Sequence, residues 1–204
     1  NVIELNRNKL FGNEPDFIAA DGLAYGVDLS GKYNYQRIYL WAAVGYQVVK
    51  YTSLDANGLK QTYPTPFDTR LNSNMVVAYS AGKKKEWDIS LRFNLHSPFP
   101  FTQTQGFYED QNISAGGIGT NVLTSNGNLS FIYDDKINGG RLSWYHRLDL
   151  SARRRFTLKK VTLDATAAIS NVYNRQNIFY VDRLTNEKIY QLPFFPSVNL
   201  TLNF

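Results

Sequence analysis

The 204-residue chain has no cysteine, only two histidines and one methionine. It has no apolar run approaching the roughly 18 residues that a membrane-spanning helix needs. Without cysteine there is no disulfide scaffold, no thiol enzyme and no cysteine-ligated zinc or iron–sulfur site. The missing apolar run and a mean hydropathy of −0.35 exclude a helical membrane protein. They do not exclude a membrane β-barrel, whose strands alternate and average out on any hydropathy scale. No basic segment followed by an apolar one opens the chain at Asn1, so no signal peptide is visible, and the chain reads as a mature product or a fragment. Aromatic residues are abundant: 14 Tyr, 13 Phe and 3 Trp within a hydrophobic fraction of 43%, a composition that argues against disorder. Lys and Arg outnumber Asp and Glu by 22 to 17, a formal net charge of +5.

The dominant pattern is a period of two. Val198, Leu200, Leu202 and Phe204 alternate with Asn199, Thr201 and Asn203. Tyr25, Val27, Leu29, Gly31 and Tyr33 form the apolar phase of another run, and Ile38, Leu40, Ala42, Val44, Tyr46 and Val48 that of a longer one. The same alternation places Leu71, Met75, Val77 and Tyr79 together, then Trp87, Ile89, Leu91, Phe93 and Leu95. Leu148, Leu150 and Ala152 follow, and then Val161, Leu163, Ala165, Ala167 and Ile169. Successive strand residues point to opposite faces, so each segment has one apolar and one polar face. No stretch shows a helical period. The pattern predicts about seven strong antiparallel strands and a short one near Val2–Leu5.

Length and spacing separate a membrane barrel from a soluble sandwich. The runs are about 9–11 residues or longer, enough to cross a bilayer at a tilt, whereas ordinary strands run about 5–6. Short links at 34–36, 82–85 and 157–160 alternate with long ones at 52–69, 97–144 and 171–197. That is the asymmetry of an outer-membrane barrel, with short periplasmic turns and long external loops. Trp87, Phe156 and Phe204 fall near the short turns, and Phe99, Phe101, Trp144, Tyr145, Phe194 and Phe195 at the long-loop ends, as two interfacial girdles would have them. The opposite faces would line a lumen carrying Asp28, Asp88, Arg92, Arg147, Asp149, Arg153 and Asp164, with Lys32 and Arg155. These charges serve as a polar wall, as contacts to an internal plug, or as mutual salt bridges. A turn centred on 157–160 predicts Arg153 opposite Asp164.

The search for chemistry yields no catalytic constellation. His96 and His146 flank one long loop and, with Glu109 or Asp110, would make a three-ligand set, but their spacing matches no metal motif. No serine sits in a nucleophile elbow, and 116–119 is not placed as a phosphate loop. The basic clusters 83–85, 153–155 and 159–160 lack a stacking platform or a recognition helix, so they indicate head-group contact or solvation and no nucleic acid.

Six motifs, in order, resemble TonB-dependent outer-membrane receptors, especially the Bacteroidetes type. Gly22-Leu23-Ala24-Tyr25-Gly26-Val27-Asp28-Leu29 is similar to the family's "G-x-a-x-G-x-E-l" strand start, with Asp28 for the commoner Glu. Pro66-Phe67-Asp68-Thr69-Arg70-Leu71-Asn72 resembles "P-x-x-D-x-R-H-x-l", with Leu71 for the usual His. Ser97-Pro98-Phe99-Pro100-Phe101-Thr102 is similar to "sG-x-P-y-T" without its Gly. Arg141-Leu142-Ser143-Trp144-Tyr145-His146-Arg147-Leu148-Asp149-Leu150 resembles "R-l-P-x-Y-x-R-L-D-l", with Ser143 at the Pro position. Ile169-Ser170-Asn171-Val172-Tyr173-Asn174-Arg175-Gln176-Asn177 resembles "v-x-N-l-f-N-r-k-N", and Leu192-Pro193-Phe194-Phe195-Pro196-Ser197 leads into the last strand in the family manner.

The resemblance implies a barrel of about 22 strands. At roughly 25 residues per strand with its loop, 204 residues supply seven or eight strands, so residues 1–204 would be the C-terminal portion of one barrel domain, without its plug or first strands. It implies a non-enzymatic, cofactor-free receptor importing a siderophore, glycan, peptide or vitamin across a Gram-negative outer membrane, with the C-terminus periplasmic. Implied partners are outer-membrane lipid and lipopolysaccharide, the rest of the barrel and plug, the TonB complex, the barrel-assembly machinery reading Val198, Leu200, Leu202 and Phe204, and a surface lipoprotein. Tyr63, Phe107, Tyr108 and Tyr133 are the candidate ligand contacts in the long loops. The alternatives are a stand-alone eight-stranded anchor or adhesin and a non-transporting barrel component of a larger outer-membrane complex.

Overall fold

A computed structural model describes residues 2–5, 17–55, 58–109, 113–114, 117–118, 129–158, 161–182 and 184–204. In chain order the strands are β1 (Val2–Leu5), β2 (Phe17–Tyr35), β3 (Ile38–Leu54), β4 (Lys60–Pro64), β5 (Leu71–Ala81) and β6 (Trp87–His96). Next come β7 (Pro100–Phe101), β8 (Thr104–Glu109), β9 (Ile113–Ser114), β10 (Gly117–Ile118), β11 (Leu129–Tyr133) and β12 (Gly140–Arg141). The chain ends with β13 (Tyr145–Thr157), β14 (Thr162–Ser170), β15 (Ile178–Val181), β16 (Lys188–Tyr190) and β17 (Phe195–Asn203). There is no helix among the described residues.

One antiparallel sheet carries the architecture, in the order β1-β2-β3-β5-β6-β13-β14-β17, with β4 folded back on β3. The eight strands of that path are the seven alternating runs and the short strand at Val2–Leu5. The sheet is open, since β17 pairs only with β14 among the described residues and β1 only with β2. The remaining strands are ribbons inside the long connections: β7 with β12, β8 with β11, β9 with β10, and β15 with β16.

The register brings every apolar phase onto one face. Val27 stands opposite Tyr46 and Leu29 opposite Val44; Leu40 faces Val77 and Ala42 faces Met75; Met75 faces Phe93 and Val77 faces Leu91. Leu91 continues to Leu150, Leu150 to Ile169, and Ala165 to Leu200. Facing residues share a side of the sheet, so the apolar stripe runs unbroken across the ladder.

That stripe is the accessible side. From Ile38 to Tyr46, each apolar-phase residue of β3 is exposed and each residue between is half-buried. Val27 is 73% exposed, Leu29 75% and Val198 77%. Only Ala20, Val48 and Tyr63 are buried hydrophobics among the described residues. A soluble sandwich buries its apolar faces against one another; here the apolar phase is the more exposed one along β3 and the first half of β6, and both sides of β2 and β17 are exposed.

Three details depart from the sequence reading. Arg153 pairs with Thr166, and Arg155 takes the place opposite Asp164. The ladder extends through Thr157↔Thr162, and Leu158 and Val161 exchange backbone hydrogen bonds of 2.8 and 3.3 Å, so the turn begins later than predicted. The loop-end girdle is split, because Tyr145 and Phe195 pair with His96 and Ser170 on the polar face. Finally, β2 and β3 have 19 and 17 residues, about 60 Å at ~3.3 Å per residue. They are therefore longer than the roughly 9–11 residues expected of each run, and β3 with β4 turns part of the link 52–69 into a hairpin.

Candidate functional site

The polar face is a lattice of paired charges. Arg153 Nη2 donates to Asp88 Oδ2 at 2.5 Å, Arg155 Nε to Asp164 Oδ1 at 2.9 Å, and Arg147 Nη2 to Asp149 Oδ2 at 3.0 Å. The Ser90 and Ser151 hydroxyls meet at 2.7 Å in the same row. Asp88, Arg147, Asp149, Arg153 and Asp164 are thus mutually engaged. Asp28 lies over Gly45, and Arg92 stands opposite Asp149; neither forms an ion pair among the described residues.

At the long-connection end, the ordered motifs of the sequence interlock. Asp68 has no exposed side-chain surface. It accepts from the Val49 amide at 2.8 Å, from Arg70 Nε at 2.7 Å and from Arg141 Nη2 at 3.0 Å. Arg141 Nη1 also donates to the Asp68 carbonyl at 2.8 Å and to that of Pro98 at 3.1 Å. Burial works against the Asp68 charge, but the Val49 amide and the two guanidinium groups outweigh it and hold the carboxyl below its ordinary range. Ser97 joins this belt by accepting the Leu71 amide on Oγ at 3.1 Å. Buried Asn138 donates from Nδ2 to the Pro64 carbonyl at 2.8 Å, joining two long connections.

Asn171 organises the third connection. It is fully buried, with φ of 54°. Its Nδ2 donates to the carbonyls of Arg175 and Leu192 at 2.9 and 3.1 Å, its Oδ1 accepts the Arg175 amide at 2.9 Å, and its own amide donates to Asp149 Oδ1 at 2.9 Å. Asn177 clamps the edge of β13, accepting the His146 amide at 3.3 Å and donating to the His146 carbonyl at 3.0 Å.

Above this belt lies a cleft of about 1390 Å³ between the β7–β12 and β8–β11 ribbons on one side and the β15–β16 hairpin on the other. Phe101, Phe107, Phe179, Tyr180, Asp182 and Lys188 are among its lining residues. Asp182 shapes the hairpin tip by accepting the Leu184 and Thr185 amides, both at 2.9 Å, which hold its pKa below the ordinary value.

Of the four candidate ligand contacts, only Phe107 lines the cleft. Tyr108 is exposed on the other side of β8. Tyr133 is half-buried, its ring 6.4 Å from that of Phe131. Tyr63 is buried in the β3–β4 hairpin, its hydroxyl 2.8 Å from Ser53 Oγ. Phe179, Tyr180 and Lys188 were missed, although two short β-branched and aromatic runs around 182–187 are a hairpin signal.

The two histidines stand on opposite faces, because His96 pairs with Tyr145 and His146 with Leu95. His96 stacks on Tyr145 at 4.5 Å, and His146 Nδ1 lies 2.6 Å from the Tyr173 hydroxyl. They cannot share a metal ion, and no group of three or more potential metal ligands converges among the described residues. Asp110 lies outside those residues, as do 159–160. Compared with family models and with curated proteins, the chain matches none.

Proposed function

We propose that the chain is the C-terminal third of the β-barrel of a TonB-dependent outer-membrane receptor, which imports a scarce ligand across a Gram-negative outer membrane. The observation that carries this reading is the continuous apolar face of seven long antiparallel strands, with three ion pairs on the other side. Lipid is the solvent that suits such a face, and a lumen suits its reverse. The six ordered motifs point to the family, and the interlocking of five of them at one rim supports reading those as one set. Asp28 and Arg92, which form no ion pair with described neighbours, are the wall positions suited to a plug. The cleft beside Phe107, Phe179 and Lys188 is the ligand-facing region, and energy arrives through TonB by protein contact, without a cofactor.

The rival eight-stranded anchor requires β1 to close on β17, and β17 shows no such partner among the described residues. The test is the native protein in its own membrane. Resistance to alkaline carbonate extraction, an intact mass roughly three to four times 23.3 kDa and cross-linking to TonB support the proposal. A membrane-embedded species of about 23.3 kDa that gives no TonB adduct sinks the receptor and favours the anchor.

A further inference from the structure

Arg154 is the charge on the apolar face at the short-turn end of the sheet, whereas Asp21 and Lys50 share that face at the far ends of β2 and β3. Arg154 sits opposite Trp87 and Ala165, in the phase of Leu150 and Ala152. Its guanidinium lies 5.0 Å from the Trp87 ring centroid and 4.6 Å from that of Phe156. Its neighbours Arg153 and Arg155 turn to the other face and are neutralised by Asp88 and Asp164. Arg154 has no carboxylate within ion-pair distance among the described residues. The adjoining turn adds Lys83, Lys84 and Lys85, all exposed, with Glu86 as its sole carboxylate, and the Glu86 carboxylate already accepts the Lys84 amide at 2.9 Å. The neighbouring β2–β3 turn is tied on by Arg37 Nη1, which donates to the Gly82 carbonyl at 2.6 Å, and by Lys85 Nζ, which donates to that of Gln36 at 3.1 Å. Tyr35, Tyr79, Trp87 and Phe156 rim the same end of the apolar face, each exposed.

A planar cation held between two interfacial rings, beside a turn whose three lysines outnumber the one carboxylate of Glu86, is complementary to a phosphate at the level where hydrocarbon gives way to water. We infer that Arg154 and the Lys83–Lys84 turn bind the phosphate of an anionic glycerophospholipid, such as phosphatidylglycerol, in the leaflet next to the short turns. The inference rests on the membrane reading above. The rings set the depth and orientation of the guanidinium. The lysines raise the local concentration of anionic head groups.

The experiment uses the full-length protein in detergent, titrated with phosphatidylglycerol or phosphatidylcholine and followed by native mass spectrometry. Phosphatidylglycerol should bind in preference to phosphatidylcholine. Arg154→Gln should weaken it about fivefold, the effect of one basic residue at an anionic surface, and Arg154→Lys should retain most of the affinity. Lys60→Gln, at the long-connection end, should leave it unchanged. Equal affinity in wild type and Arg154→Gln would overturn the assignment, as would equal competition by millimolar inorganic phosphate. Carbonate extraction of the same variants separates the two levels of failure. A protein that is embedded but indifferent to Arg154 loses only the head-group site, and one that is washed from the membrane loses the membrane reading with it.

Discussion

Asp68 and Asn171 show how single buried polar residues hold the long-connection end together. Asp68 is stabilised as the anion, so the sign of its pH dependence is fixed. A carboxyl whose folded pKa lies below its unfolded value contributes stability above the ordinary value of 3.8 and loses it as pH falls through the lowered one. Protection factors for the Val49 and Leu71 amides should therefore fall as the pH is lowered below the ordinary carboxyl value of 3.8. Asp68→Asn should abolish that step and cost about 1–3 kcal/mol of local stability at neutral pH, since two guanidinium groups lose their shared acceptor. For Asn171, replacement by Ala removes the bonds to Arg175 and Leu192 and strains a left-handed backbone. Replacement by Gly removes the bonds alone. Proteolysis of the 171–197 connection should rank wild type as slowest, Gly intermediate and Ala fastest.

At the scale of the element, the faces were legible in the sequence and the registers were not. Alternation of apolar residues states which side a residue is on, and a two-residue shift of pairing leaves that statement intact. The Arg153–Asp164 expectation failed for this reason: both residues are on the polar face, but the ladder continues past Thr157, and Arg155 is the partner. A double-mutant cycle should give Arg155 and Asp164 a small favourable coupling that weakens with salt, and Arg153 and Asp164 nearly none. The ribbons inside the long connections were hidden because β7, β9, β10 and β12 have two residues each, too short for a period to register. The belt around Asp68, Arg141 and Asn171 was partly visible. Its motifs could be read in order along the chain, but nothing in a linear sequence says that Asp68 and Arg141, 73 residues apart, share two hydrogen bonds. The cleft was read at one position, Phe107, because its walls come from three connections that meet only in the folded chain.

The whole molecule is an inside-out sheet. Burying one large aliphatic side chain is worth about 1.5–3 kcal/mol, and Val27, Leu29, Val198 and Leu200 forgo most of that against any part of the chain itself. A chain with three buried hydrophobic residues among those described has no apolar core of its own to stabilise it. Its stability has to come from what covers the apolar face. We propose that lipid covers that face. The direct measurement is spin-label accessibility in the full-length protein in its native membrane, with labels placed one at a time along β17 and β6. The account predicts that labels at Val198, Leu200, Ile89 and Leu91 relax with oxygen, while labels at Asn199, Thr201, Ser90 and Arg92 relax with a water-soluble nickel chelate, in strict alternation. Uniform exposure to the nickel chelate along both strands, or alternation of the opposite phase, would contradict it.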